Sequence, residues 1–151
     1  MLEGRTFGST VVSLLIKGQL GVCFWAGDSR LYRFRNQTLE PLSRDHSRVE
    51  ELLRRGALTP EEADSHPESN VITRAVGVTE EFKLEVNAFP VYVGDTFLLC
   101  SDGLYNSVSE EELIQHLSSD TPAQAIEALI ATAINNKAND NVSAIVIKGM
   151  P

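Results

Sequence analysis

Residues 20–26, Leu-Gly-Val-Cys-Phe-Trp-Ala, carry no polar side chain on either face of a strand. Successive strand side chains point to opposite faces, so a run like this must be covered on both. That predicts a central strand between layers. The flanking sequence repeats the theme in short pieces. Residues 10–16 are apolar and β-branched, and Lys17-Gly18-Gln19 turns the chain into the central run. Gly27-Asp28-Ser29 breaks that run, residues 31–35 alternate, and Asn36-Gln37 turns into 39–42. The pattern predicts an antiparallel meander of four strands. Residues 84–91 and 95–100 read as two more strands joined across Gly94, and 142–147 as a closing apolar strand.

Helices are announced by their caps. Residues 47–55 place Val49, Leu52 and Leu53 on one side, and Gly56 ends the run. Thr59-Pro60-Glu61-Glu62 is a capping box with proline at the first helical position, opening a short helix that Pro67 stops. Ser109-Glu110-Glu111-Glu112 and Thr121-Pro122-Ala123-Gln124 open helices that run to Leu117 and to Asn135. Strands first, then strands and helices mixed, predict an α+β fold with a largely antiparallel sheet. The 151 residues suit one domain, and neither a repeat nor a low-complexity linker divides them.

The net charge of −8 comes without a basic stripe, so no nucleic-acid partner is expected. No apolar run approaches the ~18 residues of a membrane span and no signal peptide is read, so cytoplasm is the expected location. Cys23 and Cys100 sit inside apolar runs and read as buried thiols. Without a CxxC pair, neither a thiolate zinc site nor a redox motif is indicated. His46, His66 and His116 lack metal-ligand spacing.

Three aspartates adjoin apolar strands: Asp28 in Gly27-Asp28-Ser29, Asp102 in Ser101-Asp102-Gly103, and Asp140 in Asn139-Asp140-Asn141. Strand ends can project carboxylates into a shared cleft, and hard divalent cations such as Mg²⁺ or Mn²⁺ favour such oxygen ligands. The same tripeptides are ordinary turn signals. Read alone, the residues leave a turn and a cation ligand both open.

In order, six motifs resemble the PPM family, the metal-dependent type 2C protein Ser/Thr phosphatases. Gly8-Ser9-Thr10 is similar to the family's Gly-Thr-Thr, and Ala26-Gly27-Asp28-Ser29-Arg30-Leu31-Tyr32 to Val-Gly-Asp-Ser-Arg-x-Tyr. Leu42-Ser43-Arg44-Asp45-His46-Ser47 is similar to Leu-Thr-x-Asp-His-Ser. Asn70-Val71-Ile72-Thr73-Arg74-Ala75-Val76-Gly77 is similar to Asn-x-Ile-Thr-Arg-Ala-Leu-Gly. Gly94-Asp95, with Leu98-Leu99-Cys100-Ser101-Asp102-Gly103-Leu104, matches its Gly-Asp and Leu-Leu-Cys-Ser-Asp-Gly-Leu. Asp140-Asn141-Val142-Ser143 is similar to the closing Asp-Asn-Ile-Thr. The stretch 61–67 is most like the bacterial branch.

The resemblance implies a β-sandwich flanked by helices, α-β-β-α, represented here by the C-terminal part of the domain and therefore incomplete. It implies metal ligands at Asp102 and Asp140, and at Asp28 for a third, weaker metal site, with Mn²⁺ or Mg²⁺ as cofactor. It implies a substrate flap over residues 47–70, from Ser47 through Gly56 and His66 to Asn70. Thr73 and Arg74 are expected to be structural, and Arg30 to pair locally. Ser69 departs from the arginine common before that asparagine. The family's phosphate-binding arginine, its Glu-Asp ligand pair and its Asp-Gly-Met-Gly-Gly motif precede Gly-Thr-Thr. Of residues 1–7 only Glu3 is acidic, and Arg5 lacks the family context.

The implied activity is hydrolysis of phosphoserine and phosphothreonine in proteins by a hydroxide bridging two cations, with the isolated chain expected to be inactive. Implied partners are a phosphorylated protein and a cognate Ser/Thr kinase. An incomplete domain should expose apolar surface and an unpaired edge near residues 10–16, inviting a dimer or strand exchange. The alternative is a non-catalytic pseudophosphatase or regulatory binding module on the same scaffold.

Overall fold

The computed structural model describes residues 7–64, 66–79 and 82–149, so Glu3 and Arg5 lie outside the described residues. Among the described residues, seven strands form two antiparallel sheets. In chain order they are β1 (Val11–Lys17), β2 (Leu20–Ala26), β3 (Arg30–Arg35), β4 (Thr38–Pro41), β5 (Glu85–Pro90), β6 (Thr96–Cys100) and β7 (Ala144–Lys148). One sheet has the order β1-β2-β5, the other β4-β3-β6-β7. Among the same described residues five helices join them: α1 (Arg48–Arg54), α2 (Pro60–Asp64), α3 (Asp102–Tyr105), α4 (Glu110–Leu117) and α5 (Pro122–Asn135).

The four-strand meander is corrected. β1 pairs with β2 and β3 with β4, but the two hairpins belong to different sheets. The chain changes sheet three times, at residues 27–29, between β4 and β5, and between β5 and β6. A Gly-Asp-Ser turn can close a hairpin or carry a chain between layers. Burial decides: Cys23 and Trp25 of β2 face Leu31, Phe97 and Leu99 across the sandwich interior.

A second core forms on the other side of the larger sheet. Tyr32, Phe34 and Leu98 pack there against Leu113, Leu117, Leu129 and Ala133 of α4 and α5. The strand covered on both faces is therefore β6, all five of whose residues are buried. β2 is central within its own sheet, but Val22 and Phe24 on its outer side are only half-buried. Each fully buried leucine, such as Leu98 or Leu129, contributes about 2 kcal/mol by leaving water.

The capping boxes form as read. Ser109 accepts from the Glu112 amide while Glu112 accepts from the Ser109 amide, and Thr121 and Gln124 do the same. Thr59 and Glu62 exchange the equivalent pair of bonds. Among the described residues β1 is a sheet edge, bonded to β2 alone. Leu15 on β1 is 62% exposed and Val86 on β5 55% exposed. The expected apolar surface and open edge are thus present.

Candidate functional site

Strand register gathers the three aspartates. Arg30 of β3 is opposite Cys100 of β6, which is opposite Ala144 of β7. Asp28 precedes the first, Asp102 follows the second and Asp140 precedes the third, so all three lie at one end of the sandwich. They line one cavity of about 530 Å³ with Asn70, Asn106 and Lys137.

Each carboxylate is placed by short local structure. Gly27 adopts φ +111°, and a Cβ there would collide with Thr10, so the turn carrying Asp28 requires glycine. The Gly27 amide donates to His46 Nδ1 at 3.1 Å. Thr10 and Ser29 share a hydroxyl bond of 3.0 Å, and the Tyr105 hydroxyl donates to the Asp28 carbonyl at 3.0 Å.

Asp102 opens α3, a one-turn helix whose length is too short for any periodic signal. Its Oδ1 accepts from the Gly103 amide at 2.9 Å. A Cβ on Gly103 would strike the Asn141 carbonyl oxygen, so glycine lets α3 approach the loop carrying Asp140. Ser101 stitches the same two segments. Its amide donates to the Ser143 carbonyl at 3.0 Å, its hydroxyl donates to the Asn141 carbonyl at 3.1 Å, and it accepts from the Ser143 amide at 3.0 Å. Asp140 sits four residues before β7 rather than at its margin, because the strand begins at Ala144 and not at Val142. Its Oδ1 accepts from the Asn141 amide at 2.6 Å.

Burial raises the Asp28 carboxyl above its ordinary range, and the nearby charge of Asp102 raises it further. A divalent cation bound beside Asp28 would reverse that penalty. The oxygen donor set therefore fits Mg²⁺ or Mn²⁺ in chemistry. It is incomplete in number. Among the described residues no three His, Cys, Asp or Glu side chains converge closely enough to hold a metal ion by themselves.

The flap residues divide. A cavity of about 380 Å³ separates residues 47–70 from the acidic end, and Ser47, Leu53 and Asn70 face Asp28 and Asp102 across it. Ser47 caps α1 by accepting from the Glu50 amide, and it bridges to Ile72. Asn70 lines both cavities. Gly56 ends α1 at φ +68°, and His66 accepts from the Glu68 amide at 3.1 Å. Neither of these two lines either cavity. A larger cavity of about 670 Å³ lies alongside, lined by Trp25, Arg30, Tyr32, Asp45 and Asn87, and none of the three aspartates reaches it.

Arg30 pairs locally, as expected. Its Nε and Nη2 donate to the Asp45 carboxylate at 2.9 and 2.7 Å, Nη1 donates to the Tyr32 hydroxyl at 2.9 Å, and the guanidinium lies 3.6 Å from the Tyr105 ring centre. His46 does more than its sequence context announces. With Nδ1 accepting from Gly27, its remaining ring proton lies on Nε2 and is donated to Glu85 at 2.8 Å. The Thr73 amide donates to the His46 carbonyl, and Arg74 pairs with the same Glu85 at 3.7 Å. Tyr105 carried no sequence signal: nothing local marks which hydroxyl will meet a carbonyl 77 positions away.

Residues 1–136 match the family described as Protein phosphatase 2C. The serine/threonine phosphatase stp of Listeria monocytogenes is 39% identical over 144 residues, covering 93% of this chain and 56% of that protein. Protein phosphatase PhpP of Streptococcus pneumoniae is 37% identical, covering 95% and 58%. The chain thus spans a little over half the length of these relatives. Among solved structures, the Mycobacterium tuberculosis serine/threonine phosphatase PstP/Ppp has a TM-score of 0.90 at 33% identity, covering 95% of this chain and 61% of that one. The catalytic domain of PstP in complex with two manganese ions has a TM-score of 0.82 at 32% identity, covering 92% and 57%.

Proposed function

The chain belongs to the protein phosphatase 2C family, and from that premise we propose that it supplies one wall of the catalytic cleft of a metal-dependent phosphatase acting on phosphoserine and phosphothreonine in proteins. The observation that carries this reading is the convergence of Asp28, Asp102 and Asp140 on one cavity at one end of the sandwich.

In this reading Asp102 and Asp140 would hold a pair of Mn²⁺ or Mg²⁺ ions, and Asp28 would help hold a further one. When bound, such ions lower the pKa of a coordinated water and neutralise phosphate oxygens. The chain's own residues hold the carboxylates apart at fixed spacing, through Gly27, Ser101 and Gly103, so that little reorganisation is needed when charge develops. Without cations, the same carboxylates repel an anionic phosphate. Ser47 and Asn70 stand where a phosphorylated side chain would enter between flap and carboxylates. The phosphate must first be installed by a Ser/Thr kinase, so a kinase acting on the same proteins is the implied partner, and both belong in the cytoplasm. Among the described residues no helix is long and apolar enough to cross a membrane.

The relatives' additional length supplies, in this proposal, the remaining metal ligands and the phosphate-gripping arginine. The 151-residue chain alone should therefore hydrolyse p-nitrophenyl phosphate negligibly in millimolar Mn²⁺. Fusion to the N-terminal part of a family domain should restore Mn²⁺-dependent turnover, and Asp102→Asn should abolish it and weaken Mn²⁺ binding in calorimetry. Unchanged Mn²⁺ affinity in Asp102→Asn would remove the ligand assignment. A fusion that binds Mn²⁺ but never turns over would favour a non-catalytic binding module.

A further inference from the structure

We infer that Tyr105 is a positioning residue that sets the spacing between Asp28 and Asp102, with Arg30 and Asp45 holding its ring in place. Two links make the case. Tyr105 lies three residues after Asp102 on the one-turn helix α3, so the two move as one body. Its hydroxyl donates at 3.0 Å to the carbonyl of Asp28, in a turn of a different segment. That bond joins the two carboxylate-bearing segments side to side, whereas the Ser101 bonds join α3 only to the loop of Asp140.

The tyrosine is itself braced. The Arg30 guanidinium lies 3.6 Å from its ring centre, and both the cation and the ring face would lose contact if the ring swung away. Arg30 cannot follow such a swing, because its fork is engaged by both Asp45 oxygens and Tyr32. Asp45 in turn is next to His46, whose ring holds the Gly27 amide beside Asp28. The brace therefore begins two residues before Ser47, the N-cap of the flap helix α1. Movement of that segment would reach the carboxylates through Arg30 and the Tyr105 ring.

This assignment rests on Asp28 and Asp102 being cation ligands, and the test separates the two. Tyr105→Phe removes the hydroxyl but keeps the ring under Arg30. Mn²⁺ binding would be followed by electron paramagnetic resonance for the 151-residue chain, Tyr105→Phe, Asp28→Asn and the double variant. One hydrogen bond is worth about a five- to tenfold loss in Mn²⁺ affinity. Tyr105→Phe should show that loss, and should add almost nothing on the Asp28→Asn background, because the hydroxyl acts through Asp28. Full additivity, or unchanged affinity in Tyr105→Phe, would overturn the proposal.

A metal-free measurement decides the remaining case. The Ser29 amide shares a peptide group with the Asp28 carbonyl, so losing the tyrosine bond should shift its ¹⁵N resonance and speed its hydrogen exchange severalfold. If the parent binds no Mn²⁺, as its incomplete donor set allows, the ligand reading is judged in the fused domain, and the Ser29 amide alone judges Tyr105. A moved resonance with faster exchange supports its positioning of the Asp28 turn, and an unmoved one overturns it.

Discussion

At Asp28, beside Asp102, the proposed ligand chemistry is set against stability. The Asp28 carboxyl is held above its usual range by burial first and by Asp102 second. A carboxyl whose folded pKa is raised favours folding only while protonated, and that contribution is lost as pH rises through its folded value. At neutral pH without metal, Asp28 therefore destabilises the chain. Asp28→Asn should raise the melting temperature in chelator while weakening Mn²⁺ binding, and a lower melting temperature would contradict the electrostatic account. Asp95 behaves in the opposite sense. Burial alone would raise its pKa, but bonds from Arg35 and the Tyr92 amide, with the charge of Arg35, outweigh it and hold the carboxyl low. Its contribution is full above about pH 4 and fades as pH falls through the lower folded value. Asp95→Ala should cost about 2 kcal/mol in urea unfolding at pH 7, and less at pH 3. At this scale the aspartates were visible in the sequence as turn signals, and the motif order singled them out. Tyr105 and the second role of His46 were not visible, since both depend on contacts between distant segments.

Elements were read from two kinds of local rule. Alternating and apolar runs marked all seven strands, and three capping boxes marked helix starts that the structure reproduces. The rules failed where the decision was not local. Whether Gly27-Asp28-Ser29 closes a hairpin or changes sheet depends on which residues share a core, and α3 has only four residues to announce itself. The flap elements also differ from the rest in how they are held. Of α1 only Val49 is buried, while every residue of β6 is. Backbone amides in residues 47–70 should therefore exchange hydrogen faster than those in 96–100 or 142–147. Equal protection would show that the flap is as firmly packed as the sandwich.

At the scale of the molecule, the described residues cover one sheet on both faces and leave the other open on one. α4 and α5 pack over the β4-β3-β6-β7 sheet, whereas Leu15 and Val86 on the outside of the β1-β2-β5 sheet meet solvent. With β1 open along its edge, the isolated chain should self-associate. Light scattering should show a mass that grows with concentration, and Leu15→Lys should reduce it. A monodisperse monomer at all concentrations would argue that the edge is inert. The α+β class was legible from the order of segments. The two-layer sandwich came from the family resemblance, because layer assignment depends on contacts that no single segment contains.

Of the three places where the chain changes sheet, the turn after β2 and the connection before β6 lie at opposite ends of the sandwich. The turn at residues 27–29 carries a carboxylate facing another carboxylate, while the connection before β6 is closed by Asp95 with Arg35 and the Tyr92 amide. The molecule is thus polarised along its strands, with unmet charge at one pole and satisfied charge at the other. A binding partner that carries positive charge has only one of these poles to gain from. Which end of the β-sandwich carries the unpaired acid is written into how its layers are joined.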